Sequence, residues 1–268
     1  MTDEPTRRIA TTFDVMAPTY EVLQFVRQAA ERLVEVADLR PGARVLDVAT
    51  GTGHAARAAA ERVGPFGSVL GIDISDGMLE IARGTLEPLG LPIEVRVGDV
   101  QALDLPDASF DAVICASGIF FVPDMDAAVR ECRRVLAPGG QLAFTSFGAS
   151  MLADLRVRFG AVLARQGYPP TPPPAMPLQE PAENRELLQR AGFVDIEAWA
   201  EQLGYHLPDG EARWREIEAS LEGRALKGVP PDVVAAVRAE HVAELDELAG
   251  PDGIWVDVVT NFATGRAP

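Results

Sequence analysis

The residues best equipped for chemistry lie in Val45-Leu46-Asp47-Val48-Ala49-Thr50-Gly51-Thr52-Gly53-His54, an apolar strand pattern that runs into a glycine-rich turn and opens a helix. Glycines let a backbone approach a ligand closely, and the first N–H groups of a helix offer unpaired donors to a carboxylate or phosphate. Asp47, just before the turn, is placed to receive a ligand ammonium or hydroxyl. A second acid, Asp73, ends the next strand pattern 20 residues past Gly53, where a carboxylate reaches ribose hydroxyls. A third, in Gly98-Asp99-Val100, ends the strand after that. Three acids at successive strand ends point to an adenosine-containing cofactor held along one rim of a sheet.

The elements that must position them read as alternating apolar runs and amphipathic stretches. RVLDVA (44–49), SVLGIDI (68–74), IEVRVGDV (93–100), FDAVICAS (110–117) and QLAFTSFG (141–148) predict strands. Helices are expected from about Gly53 to Val63, from Ser75 or Asp76 to about Leu89, and from Asp124 to Leu136. Continuous apolar character in the strands indicates a mainly parallel sheet covered on both faces, hence a doubly wound α/β domain with its ligand at the carboxyl ends of the strands. Apolar residues at a helical period predict one amphipathic helix over Thr12–Leu39. After Gly148 comes one more helix to about Gly167, then a stretch, 168–181, with seven prolines in fourteen residues, suited to a lid or linker. A helix over Glu183–Ala191, a sixth strand over Val194–Tyr205, helices within 209–249 and a final strand over 254–265 complete the chain. One domain is expected over 1–268: a cap over 1–40, a cofactor-binding core over 41–148, acceptor-side additions at 149–182 and 208–250, and a closing strand within 254–266.

Gly51-Thr52-Gly53-His54-Ala55-Ala56 also satisfies the G-x-G-x-x-A fingerprint of nicotinamide dinucleotide sites. Against a dinucleotide, Asp47 would place a carboxylate beside the pyrophosphate, and Asp99 is not demanded by that fingerprint. S-adenosylmethionine has an ammonium, a ribose and an adenine but no phosphate, and suits an acid-rich rim better.

The chain resembles the class I S-adenosylmethionine-dependent methyltransferases, most closely the branch of the ubiquinone/menaquinone-biosynthesis C-methyltransferases. The resemblance rests on FDVMAPTYEVL (13–23), VLDVATGTGH (45–54), GIDIS (71–75), VGDVQALDLPDASFDAV (97–113), GIFFVPDMDAAV (118–129) and RRVLAPGGQLAF (133–144). It implies a Rossmann-like, seven-stranded, mostly parallel sheet with an antiparallel last strand and helical lid additions. It also implies that Asp47, Ala49, Gly51 and Gly53 hold the methionine end, Asp73 the ribose, and Ile74 and Met78 the adenine. Asp99 would face the adenine amino group, Val100 its ring, and Ser117 with Gly118 the methionine end from the fourth strand. Ala49 stands where the family often has glycine, and Ile119-Phe120-Phe121 where the quinone enzymes tend to have polar residues, so their substrate is not carried over.

Methyl transfer is an in-line displacement, so a cover must align the acceptor and exclude water. Phe13, Met16 and Tyr20 are available for it, with Tyr20 the candidate for an aromatic face beside the sulfonium. His206, after Tyr205 at the end of the sixth strand, is the candidate general base. His54 reads as part of the glycine turn, His241 as lying on a solvated helix, and the Glu/Arg-rich stretch 209–224 as a solvated helix face. Phe120 and Phe121 suit pocket walls, Trp214 and Trp255 core packing or an aromatic pocket, and Cys115 the core.

Composition sets the outer bounds. With 47% apolar and 24% charged residues the chain is an ordinary globular one, and a net charge of −16 repels nucleic acid and anionic membranes. Cys115 and Cys132 lack the spacing of a metal site or disulfide framework, so a reducing cytoplasm is expected and no metal. The longest apolar run, 112–123, is too short to span a bilayer, and the N-terminus has no signal-peptide core. The expected activity is methyl transfer from S-adenosylmethionine to a small, hydrophobic or aromatic acceptor at oxygen, nitrogen or carbon. A nicotinamide-dependent oxidoreductase, or a protein of this fold that binds the cofactor without methyl transfer, are the alternatives; oligomeric state is not legible.

Overall fold

The computed structural model describes residues 4–170 and 176–268. Among these residues the apolar runs form nine strands: β1 (Arg44–Val48), β2 (Ser68–Asp73), β3 (Ile93–Val97), β4 (Phe110–Cys115), β5 (Leu136–Phe147), β6 (Val194–Gln202), β7 (Tyr205–Leu207), β8 (Ile254–Val256) and β9 (Val259–Arg266). The helices are α1 (Glu4–Met16), α2 (Gln24–Val36), α3 (His54–Val63), α4 (Asp76–Leu86), α5 (Met125–Val135), α6 (Ala153–Arg165), α7 (Pro181–Arg190), α8 (Gly210–Ala219) and α9 (Pro231–Leu248).

Seven strands make one sheet in the order β3-β2-β1-β4-β5-β9-β6. The pairs from β3 to β5 are parallel, and β9 runs antiparallel to both its neighbours. Strand order reverses between β1 and β4, which opens a crevice at their carboxyl ends. Helices cover both faces because the strands are apolar on both. Leu33 of α2 and Ala56, Ala59 and Ala60 of α3 pack on Val45, Ile114 and Phe262. Val129 and Cys132 of α5 and Leu187 of α7 pack on Leu46, Val113 and Phe144 from the other side. Small alanines on α3 let that helix lie close to the sheet, which holds its N-terminus at the crevice.

Several expectations are corrected. The helix expected over Thr12–Leu39 is two helices, α1 and α2, joined by a 3-10 segment, Ala17–Val22. Pro18 at its start cannot donate to a continuing α-helix. The final strand also divides: Ile254–Val256 pairs with Tyr205–Leu207 in a separate two-stranded ribbon, and only Val259–Arg266 enters the main sheet. The Gln202 side chain marks the parting, accepting from the Gly204 and Val258 N–H groups, each at 2.9 Å. Part of the proline-rich segment, 171–175, lies outside the described residues. Just after it the Leu178 carbonyl accepts from Ser146 Oγ at 2.6 Å and Asn261 Nδ2 at 3.2 Å, which ties Leu178 to the sheet.

The stretch 209–224, expected as a solvated helix face, instead helps build a second small core. Phe159 and Val162 of α6, Trp214 and Ile217 of α8 and Val237 of α9 pack together. Arg213 and Glu216 are fully buried with them, Arg213 pairing with Glu216 at 3.3 Å and with Glu222 at 2.5 Å. His241 is buried there too, its ring 5.5 Å from that of Phe159 and neither nitrogen hydrogen-bonded.

Candidate functional site

β1 stops at Val48 because the chain must fold back over 49–53 to start α3. Ala49, Gly51 and Gly53 have φ of +54°, +56° and +92°. The left-handed region is free of penalty for glycine, whereas Ala49 carries a cost of about 1–2 kcal/mol. Gly53 opens α3 against Leu86, and a Cβ there would meet Leu86 Cδ1 at 2.7 Å.

Asp73 locks this turn from the neighbouring strand. Its oxygens accept the Gly51 N–H at 2.8 Å and the Ser75 N–H at 2.9 Å. Burial nevertheless raises its pKa, with the Ser75, Gly51 and Ile74 amides opposing the rise and the Asp14 charge adding to it. Asp99, after β3, is oriented by Gln101, whose N–H and Nε2 donate to its Oδ1 at 2.9 and 3.1 Å. On the other side of the crevice Ser117 has φ +54° and its N–H donates to Thr145 Oγ1 at 2.9 Å. The next residue must be glycine, because a Cβ on Gly118 would stand 2.5 Å from the Cβ of Ala49.

These turns line a cavity that opens to solvent at the carboxyl ends of β1, β2 and β4. Ala49, Gly51, Asp73, Ile74, Met78 and Asp99 line it, joined by Val100, Ser117 and Gly118. Of the expected cofactor residues, Asp47 and Gly53 are not in its lining. Asp47 lies fully buried beneath the turn, its Oδ2 accepting from Thr50 Oγ1 at 2.6 Å and its Oδ1 without a hydrogen-bond partner. Burial pushes its carboxyl up to about 7, the Thr50 hydroxyl opposing and the Asp73 charge adding to the rise.

The roof comes from α1 and the 3-10 segment, through Ile9, Phe13 and Tyr20. Tyr20 lies edge-on to Phe13, ring centres 6.3 Å apart, and Phe13 edge-on to Phe121 at 5.1 Å. Burial, then Asp73 and Glu21, raise the Tyr20 pKa far above its ordinary value, so the phenol stays neutral and offers a ring and an O–H rather than a base. Sequence reasoning missed what fastens this roof. Asp14 Oδ1 accepts from Ser75 Oγ at 2.6 Å and from the Gly77 N–H at 3.0 Å, at the start of α4. Gln101 Nε2 donates to Thr6 Oγ1 at 3.2 Å. Ser75 is legible as a helix cap, but nothing local pairs it with a residue sixty-one positions away.

No histidine reaches the cavity lining among the described residues. His206, the candidate base, is exposed on the outer face of the β7-β8 ribbon, its ring 5.0 Å from that of the exposed Trp255 and tilted against it, because alternation along β7 turns Tyr205 and Leu207 inward. His54 Nε2 lies 3.3 Å from Glu21 Oε1, outside the lining. His241 is enclosed in the α6-α8-α9 core, where burial depresses its pKa to about 4.

Among the described residues the lining contains Asp73 and Asp99 and no Lys or Arg, with the orphaned Asp47 Oδ1 beneath. Such a donor set fits an amine, hydroxyls and an adenine amino group, and would repel a pyrophosphate. A methyltransferase domain model matches residues 45–140, the segment that supplies this rim. Nocamycin O-methyltransferase of Saccharothrix syringae is 33% identical, aligned over 95% of this chain and 96% of its own length. The chain is an S-adenosylmethionine-dependent methyltransferase. The malonyl-[acyl-carrier protein] O-methyltransferase of Methylococcus capsulatus is 32% identical over 90% of the methyltransferase chain and 86% of its own. A ubiquinone/menaquinone biosynthesis C-methyltransferase of Bordetella avium is 40% identical, but over only 52% of this chain and 57% of that one. Among solved structures the [4+2]-cyclase SpnF superposes with a TM-score of 0.62 at 22% identity, covering 98% and 97% of the two chains, which shows the shared fold. The methyltransferase uses S-adenosylmethionine as donor and a small molecule as acceptor, and the nicotinamide reading falls with that membership.

Proposed function

We infer that the methyltransferase transfers its methyl group to an oxygen of a small, largely apolar acceptor that enters under α1, beside Phe13, Tyr20 and Phe121. The observation that carries this reading is the split between relatives. Those that align along the whole chain, acceptor side included, carry O-methyltransferase names, whereas the C-methyltransferase aligns only over about half. The aromatic wall at the cavity mouth supplies the apolar contact.

In this reading Asp73 receives the ribose hydroxyls, Asp99 the adenine amino group, and Ile74, Met78 and Val100 the purine faces. Gly51, Ala49, Ser117 and Gly118 shape the backbone cradle for the methionine end. Asp47 acts from beneath by holding the turn through Thr50. Bound S-adenosylmethionine supplies an electrophilic methyl on a sulfonium. Tyr20 presents a neutral ring to that positive charge, a cation–π contact of about 0.5–2 kcal/mol. With no histidine in the lining, rate enhancement rests on alignment and exclusion of water, and the acceptor oxygen is one that ionises readily. A cytoplasmic location and the absence of nucleic acid among the partners are part of the same proposal, supported by the net charge of −16. No helix among the described residues is long and apolar enough to cross a membrane.

The test is an acceptor screen with donor labelled with carbon-13 at the methyl, read by mass spectrometry and carbon NMR. A product whose labelled methyl resonates as O–CH₃ is expected; a methyl on carbon or nitrogen would refute the oxygen assignment.

A further inference from the structure

A second groove adjoins the donor cavity, sharing Ile9, Phe13 and Phe121 with it. Its walls are α1 and the 3-10 segment Leu221–Leu226, and its rim brings together Arg7, Arg8 and Arg224. That concentration stands out in a chain of 40 acidic and 24 basic residues. The one acid in the lining among the described residues, Glu4, is paired with Arg7 at 2.9 Å, which leaves Arg8 and Arg224 to set the sign of the groove there. Neither has a carboxylate partner among the described residues. Glu222, on the same segment as Arg224, is turned away toward Arg213 in the α6-α8-α9 core. Arg224 crosses the groove to donate to Thr12 Oγ1 at 2.7 Å, so its guanidinium is already held over the apolar floor.

We propose that this groove is the outer part of the acceptor site and that Arg8 and Arg224 anchor an anionic group of the acceptor, a carboxylate or phosphate distant from the methylated atom. The inference rests on the donor cavity being the one described above. The shared residues fix the order: donor cavity, then the aromatic wall of Phe13 and Phe121, then the arginines. The acceptor class is therefore a bipolar molecule, with a nucleophilic oxygen at one end, an apolar or aromatic body, and an acid at the other. Guanidinium groups suit such an end because they stay charged at every working pH and offer paired donors to a carboxylate or phosphate. The anion would also anchor without competing for the methyl, since the arginines occupy its oxygens.

Calorimetry on protein saturated with S-adenosylhomocysteine tests this with three probes of one skeleton: a hydroxyphenyl-alkyl carboxylate, its phosphate analogue and its neutral amide. Either acid is expected to bind roughly tenfold or more tightly than the amide, with the advantage shrinking as salt rises. In R8A/R224A that preference should vanish while S-adenosylhomocysteine affinity is retained, and R8K/R224K should recover part of it. Equal binding of acids and amide, failure of all three to bind the loaded protein, or an acid preference that survives R8A/R224A would overturn the proposal. Failure of S-adenosylhomocysteine itself to bind wild type would instead overturn the donor-cavity reading on which it rests.

Discussion

The donor rim and the helical cap formed by α6, α8 and α9 use polar residues in opposite ways. On the rim, Asp73 and Asp99 stand at strand ends and each accepts backbone N–H groups, so they are oriented before any ligand arrives. In the cap, Arg213, Glu216 and His241 are sealed among apolar helix faces, and His241 has no hydrogen-bond partner among the described residues. Where polar groups serve a ligand, the fold presents them at a crevice with spare lone pairs. Buried between helices, they tie packing together and make it sensitive to protonation.

The largest test of that contrast is pH. His241 titrates near 6.5 when unfolded and near 4 when folded, its burial leading the shift, Arg213 and Arg158 adding to it and Glu222 opposing. Between those values the unfolded chain takes up a proton that the folded one refuses, so this contribution is full above pH 6.5 and lost as pH falls toward 4. Asp47, raised to about 7, acts with the opposite sign over much the same range. Comparing variant with wild type isolates the histidine: His241→Leu should gain up to about 3 kcal/mol relative to wild type between pH 7 and pH 4, read by urea unfolding. A constant difference across that range would remove the cap from the account of acid sensitivity.

Next comes the rim. Asp73→Ala should weaken S-adenosylhomocysteine binding by about 1.5–3 kcal/mol, through lost ribose hydrogen bonds and a turn no longer tied at Gly51. Smaller is the fastening of the roof over the rim: Asp14→Ala frees Ser75 Oγ and the Gly77 N–H from α1 and should cost about 1 kcal/mol. The loss should show as faster hydrogen exchange along α1, with the sheet unchanged. Smallest is His206→Ala, expected to leave turnover unaltered and stability within about 0.5 kcal/mol, because the ring is exposed on the ribbon. A large fall in turnover would restore it as a base.

What was legible follows the same division. Strands β1 to β5 and the acids at their ends could be read because a parallel sheet converts apolar runs and glycine turns directly into a rim. The cap was not, since its decisive contacts are distant in sequence. Glu216 and Arg213 look like a solvated helix face until α6 and α9 close over them. Likewise Ile254–Val256 has the pattern of a sheet strand, and only pairing with Tyr205–Leu207 draws it away, taking His206 out of reach of the crevice. Asp47 is legible as an acid at a strand end, whereas its full burial beneath the turn is not, because residue order does not reveal that the turn lies over it.

The central claim, that a phosphate-free donor is held through Asp73, is tested most directly by titrating wild type and Asp73→Asn with S-adenosylhomocysteine, with NAD as control. Saturable one-site binding to wild type, a markedly weaker isotherm for Asp73→Asn and no NAD binding are predicted. Unchanged affinity in Asp73→Asn, or binding of NAD at the same site, would contradict it.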